Sequence, residues 1–156
     1  MKAFTALIGL ACVALPLPAL AQDAAVEAPI EAFVGAFNKG DVPAAKATHE
    51  KLAIIIDEVA PYSWAGPAAF DNWLAALATD AAARGITDQS VTISKPTREL
   101  VSGTDAYVVV PAVYRFKQKG VAMSEAAQFA FTLHKSATGW KIRGWTWTGP
   151  DATPVK

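Results

Sequence analysis

Ala36-Phe37-Asn38-Lys39-Gly40-Asp41 is the stretch that joins two predicted helices and decides how the chain begins to fold. Before it, apolar residues recur at helical spacing over residues 24–38, so this segment has one apolar face. Gly40 suits the left-handed C-cap of that helix. Asp41 suits the N-cap of the next helix, and Pro43 is tolerated in its first turn. The pattern predicts two consecutive helices, the second running to about residue 51.

Downstream of these helices the sequence predicts a strand and a third helix. Residues 52–59 form a short apolar run that is typical of a buried strand. Pro61 and the Gly66-Pro67 pair indicate a loop. Residues 67–84 then have one apolar helical face, and Gly85 ends that helix.

After Gly85 the hydrophobic period changes from helical to alternating. Alternation predicts strands over residues 90–101, 106–118, 123–135 and 140–148. Their short links make them antiparallel neighbours. Helices followed by such a meander predict one α+β domain over residues 23–149, with the helices on one face of the sheet. Residues 150–156 are expected to form a frayed tail.

Alternation also assigns the faces of the sheet. The apolar phase predicts an inner face made of Val108, Val110, Ala112, Tyr114, Phe116, Phe129, Phe131, Leu133, Trp140 and Ile142. Trp145 and Trp147 fall in the opposite phase. A bulge at Gly144 would turn them inward; without one they lie on the outer face as a protein–protein contact.

The N-terminal residues differ from the rest of the 156-residue chain, which is 53% hydrophobic with a formal net charge of zero. Residues 1–21 combine a basic start, an apolar run and small residues before Gln22, which predicts a signal peptide cleaved after Ala21. We therefore expect the protein to be exported, most simply to a bacterial periplasm. Cys12 is then removed, so no disulfide is expected. The balanced charge argues against nucleic-acid binding, and no later segment is long and apolar enough to anchor the chain in a membrane.

Several stretches resemble the nuclear transport factor 2-like superfamily, which includes SnoaL-like and ketosteroid-isomerase-like proteins. They are residues 36–41, Ile56-Asp57-Glu58, residues 64–70 with Trp73, and Gly139-Trp140-Lys141-Ile142. The resemblance implies a cone in which a curved antiparallel sheet wraps the N-terminal helices around an aromatic-lined pocket. It also implies homodimers formed through the outer sheet face. Members include isomerases, dehydratases and binding proteins, so the fold alone does not define the function.

Enzymes of that superfamily place an acid or histidine in the pocket as a general base, with a tyrosine or second acid as donor. Asp57 and Glu58 are the candidates for the base. Adjacent strand residues point to opposite faces, so only one is expected to face inward. Periodicity does not choose between them, and the resemblance favours Asp57. Tyr114 is the candidate donor. The alternatives are that Asp57 caps a loop or pairs with a cation, and that Tyr114 binds backbone.

Aromatic residues near the predicted pocket are candidates for ligand binding. Tyr62 and Trp64 lie in the loop expected at its mouth, and Phe70 and Trp73 on the helix below. The full candidate set is Tyr62, Trp64, Phe70, Trp73, Phe129 and Phe131. The alternative is that these rings only fill the core.

The sequence predicts neither a metal site nor a cofactor. His49, expected at the end of the second helix, and His134, in the outer phase, lack companions at ligand spacing. No glycine-rich phosphate loop or dinucleotide motif is present.

Three hypotheses about function remain. The first is an exported, non-catalytic protein that binds a small apolar or aromatic molecule. The second is an isomerase or lyase that uses Asp57 as base and Tyr114 or Tyr62 as donor. The third is a homodimeric interaction module whose contact is Trp145 and Trp147. An acid facing apolar cavity walls opposite a tyrosine hydroxyl would favour the enzyme.

Overall fold

The computed structural model describes residues 23–156, and this part of the chain contains three helices and eight strands. The helices are α1 (Ala24–Lys39), α2 (Val42–Ala47) and α3 (Ala69–Arg84). The strands are β1 (His49–Ile56), β2 (Ser63–Ala65), β3 (Ile86–Ile93), β4 (Arg98–Ser102), β5 (Asp105–Gln118), β6 (Val121–Ser136), β7 (Gly139–Thr148) and β8 (Thr153–Pro154). The predicted α+β class is confirmed. The predicted leader, residues 1–21, lies outside the described residues.

The strands form one sheet in the order β2-β1-β7-β6-β5-β3, with β4 paired to β5 and β8 to β6. All pairs described are antiparallel except β1 with β7, which run parallel. The sheet is therefore mixed rather than wholly antiparallel. Helix α1 packs against β3 and β7, and α3 packs against β1, β2 and β3.

The stretch from residue 36 to 41 behaves as its residue types predict. Gly40 is left-handed at φ +68°, and its N–H bonds to helix carbonyls at the end of α1. The Asp41 side chain accepts from the N–H of Ala44 at 3.1 Å and so caps α2. Asn38 adds a tertiary bond: its amide donates to the carbonyl of Val91 at 2.7 Å and accepts from the Val91 N–H at 2.8 Å. The turn between the helices is thereby attached to β3.

Several predicted element boundaries differ from the structure: the end of α2, both ends of β1, which stops at Ile56 rather than at residue 59, and the strand predicted over residues 90–101. Strand β2 also lies in the predicted loop. Helix α2 ends at Ala47, because the Thr48 N–H and hydroxyl both bond to the carbonyl of Ala45 and close the last turn. His49 consequently opens β1 instead of ending a helix. The strand predicted over residues 90–101 is divided into β3 and β4 around Pro96, because proline has no N–H for the sheet.

The C-terminal tail, which was expected to fray, pairs with the sheet. In the β6–β8 pair, Met123 lies opposite Pro154 and Ser124 opposite Thr153. The Val155 N–H also donates to the Ala122 carbonyl at 2.9 Å. The tail therefore lies against the first part of β6.

Trp145 and Trp147 face inward, so their assignment to an outer-face contact is wrong. The β6–β7 register shifts between Thr132 and Leu133, whose partners are Gly144 and Ile142. Arg143 is thus an extra residue that reverses the alternation. Trp145 is only 4% exposed, and Trp147 packs against the core. Gly144 permits this approach, since a Cβ there would lie 2.7 Å from the carbonyl oxygen of Ile54.

The core lies between α1, α3 and the inner face of the sheet. The inner-face assignment for β5, β6 and the start of β7 is confirmed, with Val108, Val110, Ala112, Phe116, Phe129, Phe131, Leu133, Trp140 and Ile142 buried. Within residues 23–156, no helix is both long enough and apolar enough to cross a membrane.

Candidate functional site

An apolar cavity of about 60 Å³, called here the inner cavity, lies between α1, α3 and the inner face of the sheet. Six phenylalanine and tryptophan rings form most of its wall: Phe33, Phe37, Trp73, Phe129, Trp145 and Trp147. Aliphatic side chains complete the apolar lining, and the polar groups are Asp57, Glu58, Gln89 and Tyr114. This combination of apolar walls with a few polar groups is typical of a small-molecule site.

A second space of about 200 Å³, called here the outer chamber, adjoins the inner cavity. The two share five lining residues, Glu58, Val59, Leu77, Gln89 and Tyr114. The outer chamber is more polar and is also lined by Asp80, Arg84, Glu125 and Asp151. A molecule that fills both spaces would meet an apolar inner end and a polar outer end.

Asp57 is the carboxyl group set among these aromatic rings. Strand β1 ends at Ile56, so Asp57 begins the following loop. Its Oδ2 accepts from the indole N–H of Trp73, and its Oδ1 accepts from the backbone N–H of Glu58, each at 2.6 Å. Burial raises the pKa of Asp57, and these hydrogen bonds offset only part of that effect. The carboxylate is therefore held in a defined position and is more basic than one in water.

Glu58 lines the cavity together with Asp57, so the expectation that only one of the two faces inward is wrong. That expectation assumed strand alternation, which stops at Ile56. Burial, followed by the charges of Glu125 and Asp57, raises the pKa of Glu58 to about 7. Glu125, only 2% exposed, accepts from the indole N–H of Trp147 at 2.7 Å, and burial raises its pKa also.

The Tyr114 hydroxyl donates to Gln89 Oε1 at 2.5 Å and not to backbone. Burial and the nearby Glu58 raise the pKa of Tyr114 above its ordinary value, so the hydroxyl stays protonated near neutral pH. Gln89 reaches it because it shares the inward phase of Val91 and Ile93 on β3. The register of β3 against β5 shifts just before this stretch, where Asp88 has φ +54°.

His49 supports the cavity wall from behind. It is 8% exposed, and its Nε2 accepts from the indole N–H of Trp145 at 3.0 Å. Its Nδ1 lies 3.1 Å from the carbonyl of Ala45, so the proton of the neutral ring is on Nδ1. Burial lowers the pKa of His49 to about 4. Neutral His49 therefore holds Trp145 in place.

The predicted binding residues are divided among three environments. Trp73 and Phe129 line the inner cavity. Trp64, Phe70 and Phe131 are buried in the core without lining it, whereas Tyr62 is 61% exposed and outside both spaces. On the surface, His134 Nδ1 lies 3.2 Å from a carboxylate oxygen of Asp105.

Glu125 and Gln89 were not among the predicted site residues. Glu125 could have been found, because it shares the inward phase of Ala127 and Phe129 on β6. Gln89 could also have been found, because it shares the phase of the core residues Val91 and Ile93, although the predicted strand began only at residue 90. Among residues 23–156 no group of three or more histidine, cysteine or acidic side chains is arranged to hold a metal ion.

No protein-family model and no curated protein matches this chain. Solved structures do match. A ketosteroid isomerase-like protein from Erwinia carotovora atroseptica SCRI1043 has a TM-score of 0.64 and 26% identity over 82% of this chain and 95% of its own. Hexachlorocyclohexane dehydrochlorinase from Novosphingobium barchaimii LL02 has a TM-score of 0.70 and 14% identity over 85% and 88%. An NTF2-like protein of unknown function from Pseudomonas putida KT2440 has a TM-score of 0.62 and 14% identity over 80% and 84%.

Proposed function

Because the chain belongs by its fold to the nuclear transport factor 2-like superfamily, we propose that it is an acid–base enzyme, an isomerase or lyase of a small, largely apolar carbonyl compound. Asp57 is the general base, and Tyr114 donates a hydrogen bond to the oxygen that becomes negative. The observation that carries this proposal is a carboxyl group with a raised pKa in an aromatic cavity that also contains a tyrosine hydroxyl. Tyr62 is exposed and lies outside both spaces, so it does not act as the donor.

The proposed reaction begins when the Asp57 carboxylate takes a proton from the carbon beside the carbonyl. The electrons of that C–H bond move to the carbonyl oxygen and form an enolate. Apolar walls favour this step, because a desolvated carboxylate is a stronger base. In an isomerase Asp57 returns the proton to another carbon; in a lyase a group on the neighbouring carbon departs.

Cavity size supports a small substrate that extends beyond the inner cavity. A dry apolar cavity that holds benzene measures about 150 Å³, whereas the inner cavity measures about 60 Å³. A six-membered ring therefore needs part of the outer chamber, which adds about 200 Å³. The polar end of such a substrate would lie near Glu58 and Gln89, which line both spaces.

Asp57→Asn tests the catalytic role. The probe is the β,γ-unsaturated cyclohexenone, whose conversion to the conjugated isomer is followed by ultraviolet absorbance. We expect kcat to fall about 10²- to 10⁴-fold, because a general base is removed, while KM changes little. Tyr62→Phe is the matched control, since this exposed tyrosine lies outside both spaces. Retained turnover in folded Asp57→Asn protein would disprove the role.

Non-catalytic binding of an apolar or aromatic molecule is the second candidate, and the phenylalanine and tryptophan rings of the inner cavity favour it. Thermal-shift measurements with small aromatic compounds distinguish the two functions. A binding protein would be stabilised equally with Asp57 and with Asp57→Asn, and the native chain would not isomerise the cyclohexenone.

We also propose export with cleavage after Ala21, supported by the leader-like composition of residues 1–21. Such a cut leaves Asp23, whose side chain caps α1 by accepting from the Ala25 N–H at 2.9 Å. N-terminal sequencing of protein from the periplasmic fraction should begin at Gln22. An intact Met1 in that fraction would contradict the proposal.

A homodimer through the outer sheet face remains a proposal, now with a different contact. Leu52, Ile54 and Ile56 alternate along β1 and are all exposed. They form an exposed apolar surface, whereas Trp145 and Trp147 face inward. Sedimentation should give a dimer that Ile54→Lys converts to a monomer. A native monomer at micromolar concentration would exclude this interface.

A further inference from the structure

The Tyr114 hydroxyl proton is directed away from its proposed task. The O–H group donates to Gln89 Oε1 at 2.5 Å, so that proton is already engaged. A hydroxyl has one proton, and in this arrangement Tyr114 offers only oxygen lone pairs to a ligand. Donation to a developing oxyanion therefore requires the bond to Gln89 to change.

A carboxamide can make that change without displacing neighbouring groups. Its oxygen and nitrogen are nearly equal in size, and a half-turn of the amide exchanges an acceptor for a donor. After the half-turn, Gln89 Nε2 donates to the Tyr114 oxygen and the O–H proton is free. Neither a carboxylate nor an aliphatic side chain can offer both arrangements.

The backbone holds Gln89 where this exchange matters. Strand β3 pairs with β5 on either side of Gln89, with Thr87 opposite Lys117 and Ser90 opposite Arg115. Gln89 and Tyr114 line both the inner cavity and the outer chamber, so their hydrogen bond lies at the boundary between the two.

We propose that Gln89 is a positioning residue whose amide orientation decides whether Tyr114 accepts or donates a hydrogen bond toward a ligand oxygen. In the resting arrangement Tyr114 accepts; with the amide turned, it donates to an anionic oxygen. The effect of Gln89 on kcat rests on the proposed function, whereas its effect on the binding of an oxyanion does not depend on that function.

The test measures binding of para-nitrophenolate, whose oxygen resembles that of an enolate. It uses the Asp57→Asn protein, because a neutral amide stands in for the protonated carboxyl group that faces the enolate. Binding is measured by absorbance at about pH 9, where an introduced glutamate is ionised. The charged groups lining the same two spaces, Glu58, Glu125, Asp80, Asp151 and Arg84, are identical in every variant compared.

Gln89→Leu and Gln89→Glu have opposite expected effects. Gln89→Leu frees the Tyr114 proton, so affinity stays within about threefold or improves. The ionised carboxylate introduced by Gln89→Glu can only accept a hydrogen bond, so the Tyr114 proton stays engaged with it. Phenolate binding should then weaken about 10- to 100-fold, the range for a lost bond to a charged group. If Gln89 served only to hold the structure, both variants would weaken binding alike, which would overturn the proposal.

A double-mutant cycle with Tyr114→Phe separates the hydroxyl from simple charge repulsion. We expect Gln89→Glu to weaken binding at least tenfold less in the Tyr114→Phe background, because the group through which it acts is missing. An equal effect in both backgrounds, or no phenolate binding to Asp57→Asn protein, would also overturn the proposal. Thermal unfolding confirms that each variant folds.

Turnover by proteins that retain Asp57 distinguishes this proposal from the proposed function. If the cyclohexenone is isomerised, kcat should follow the same order, with Gln89→Leu retaining more turnover than Gln89→Glu and Gln89→Glu close to Tyr114→Phe. If it is not isomerised and the phenolate cycle behaves as expected, the catalytic role fails and the Gln89 proposal stands.

Discussion

Protonation of His49 should destabilise the protein as the pH falls from 7 to 4. His49 is 8% exposed, and its Nε2 accepts from Trp145 Nε1 at 3.0 Å. A second ring proton on Nε2 would face the indole N–H and abolish that bond. Burial keeps the pKa of His49 at about 4, against 6.5 for an unperturbed histidine. The folded protein thus resists protonation that the unfolded chain accepts.

The sign and magnitude follow from these two pKa values. Between them the unfolded chain binds the proton and the folded protein does not, so the free energy of unfolding decreases as pH falls through this window. Above about pH 6.5 His49 contributes no penalty. Because each pKa unit corresponds to about 1.4 kcal/mol, a difference of about 2.5 units predicts a loss of about 3 kcal/mol near pH 4.

Urea unfolding followed by tryptophan fluorescence measures this loss. Native protein and His49→Gln are compared at each pH, because glutamine can still accept from Trp145 but does not titrate. Their difference isolates His49 from the carboxyl groups that titrate in the same range. Parallel curves between pH 7 and 4 would refute the reasoning, as would a proton NMR titration that places the His49 midpoint near 6.5.

Three further predictions concern stability. Asn38→Ala should lower the free energy of unfolding by about 2 kcal/mol, because both backbone groups of Val91 lose a partner; chemical denaturation measures it, and Asn38→Asp, which keeps the acceptor, should lose less. Gly149→Ala should destabilise the protein and increase proteolysis of the tail, since its Cβ would lie 2.3 Å from Glu125 Oε1; unchanged proteolysis would contradict this. Glu58, with a folded-state pKa of about 7, should make the protein less stable as pH rises from about 4.5 to 7. The pH dependence of unfolding should flatten in Glu58→Gln, and an unchanged slope would show that another group is responsible.

The sequence was sufficient for features that depend on neighbouring residues. Gly40 and Asp41 end one helix and begin the next because a left-handed glycine and a short acceptor side chain satisfy local backbone groups. Alternation placed Tyr114 and Phe129 on the inner face because strand side chains alternate wherever the strand is regular. The resemblance to the superfamily drew attention to Asp57, which lines the inner cavity.

Alternation fails wherever the backbone is irregular, and this site depends on two such places. Trp145 faces inward because an extra residue in β7 reverses the phase, and Glu58 lines the cavity because β1 has already ended. A single extra residue exchanges the two faces of a strand. The residue pattern alone does not show where that occurs, because it depends on contacts with distant parts of the chain, as at Gly144 against the Ile54 carbonyl. The sequence by itself determined the three helices, the long strands and most of the core, because these depend on neighbouring residues, and only the tertiary structure decided which polar groups meet in the cavity.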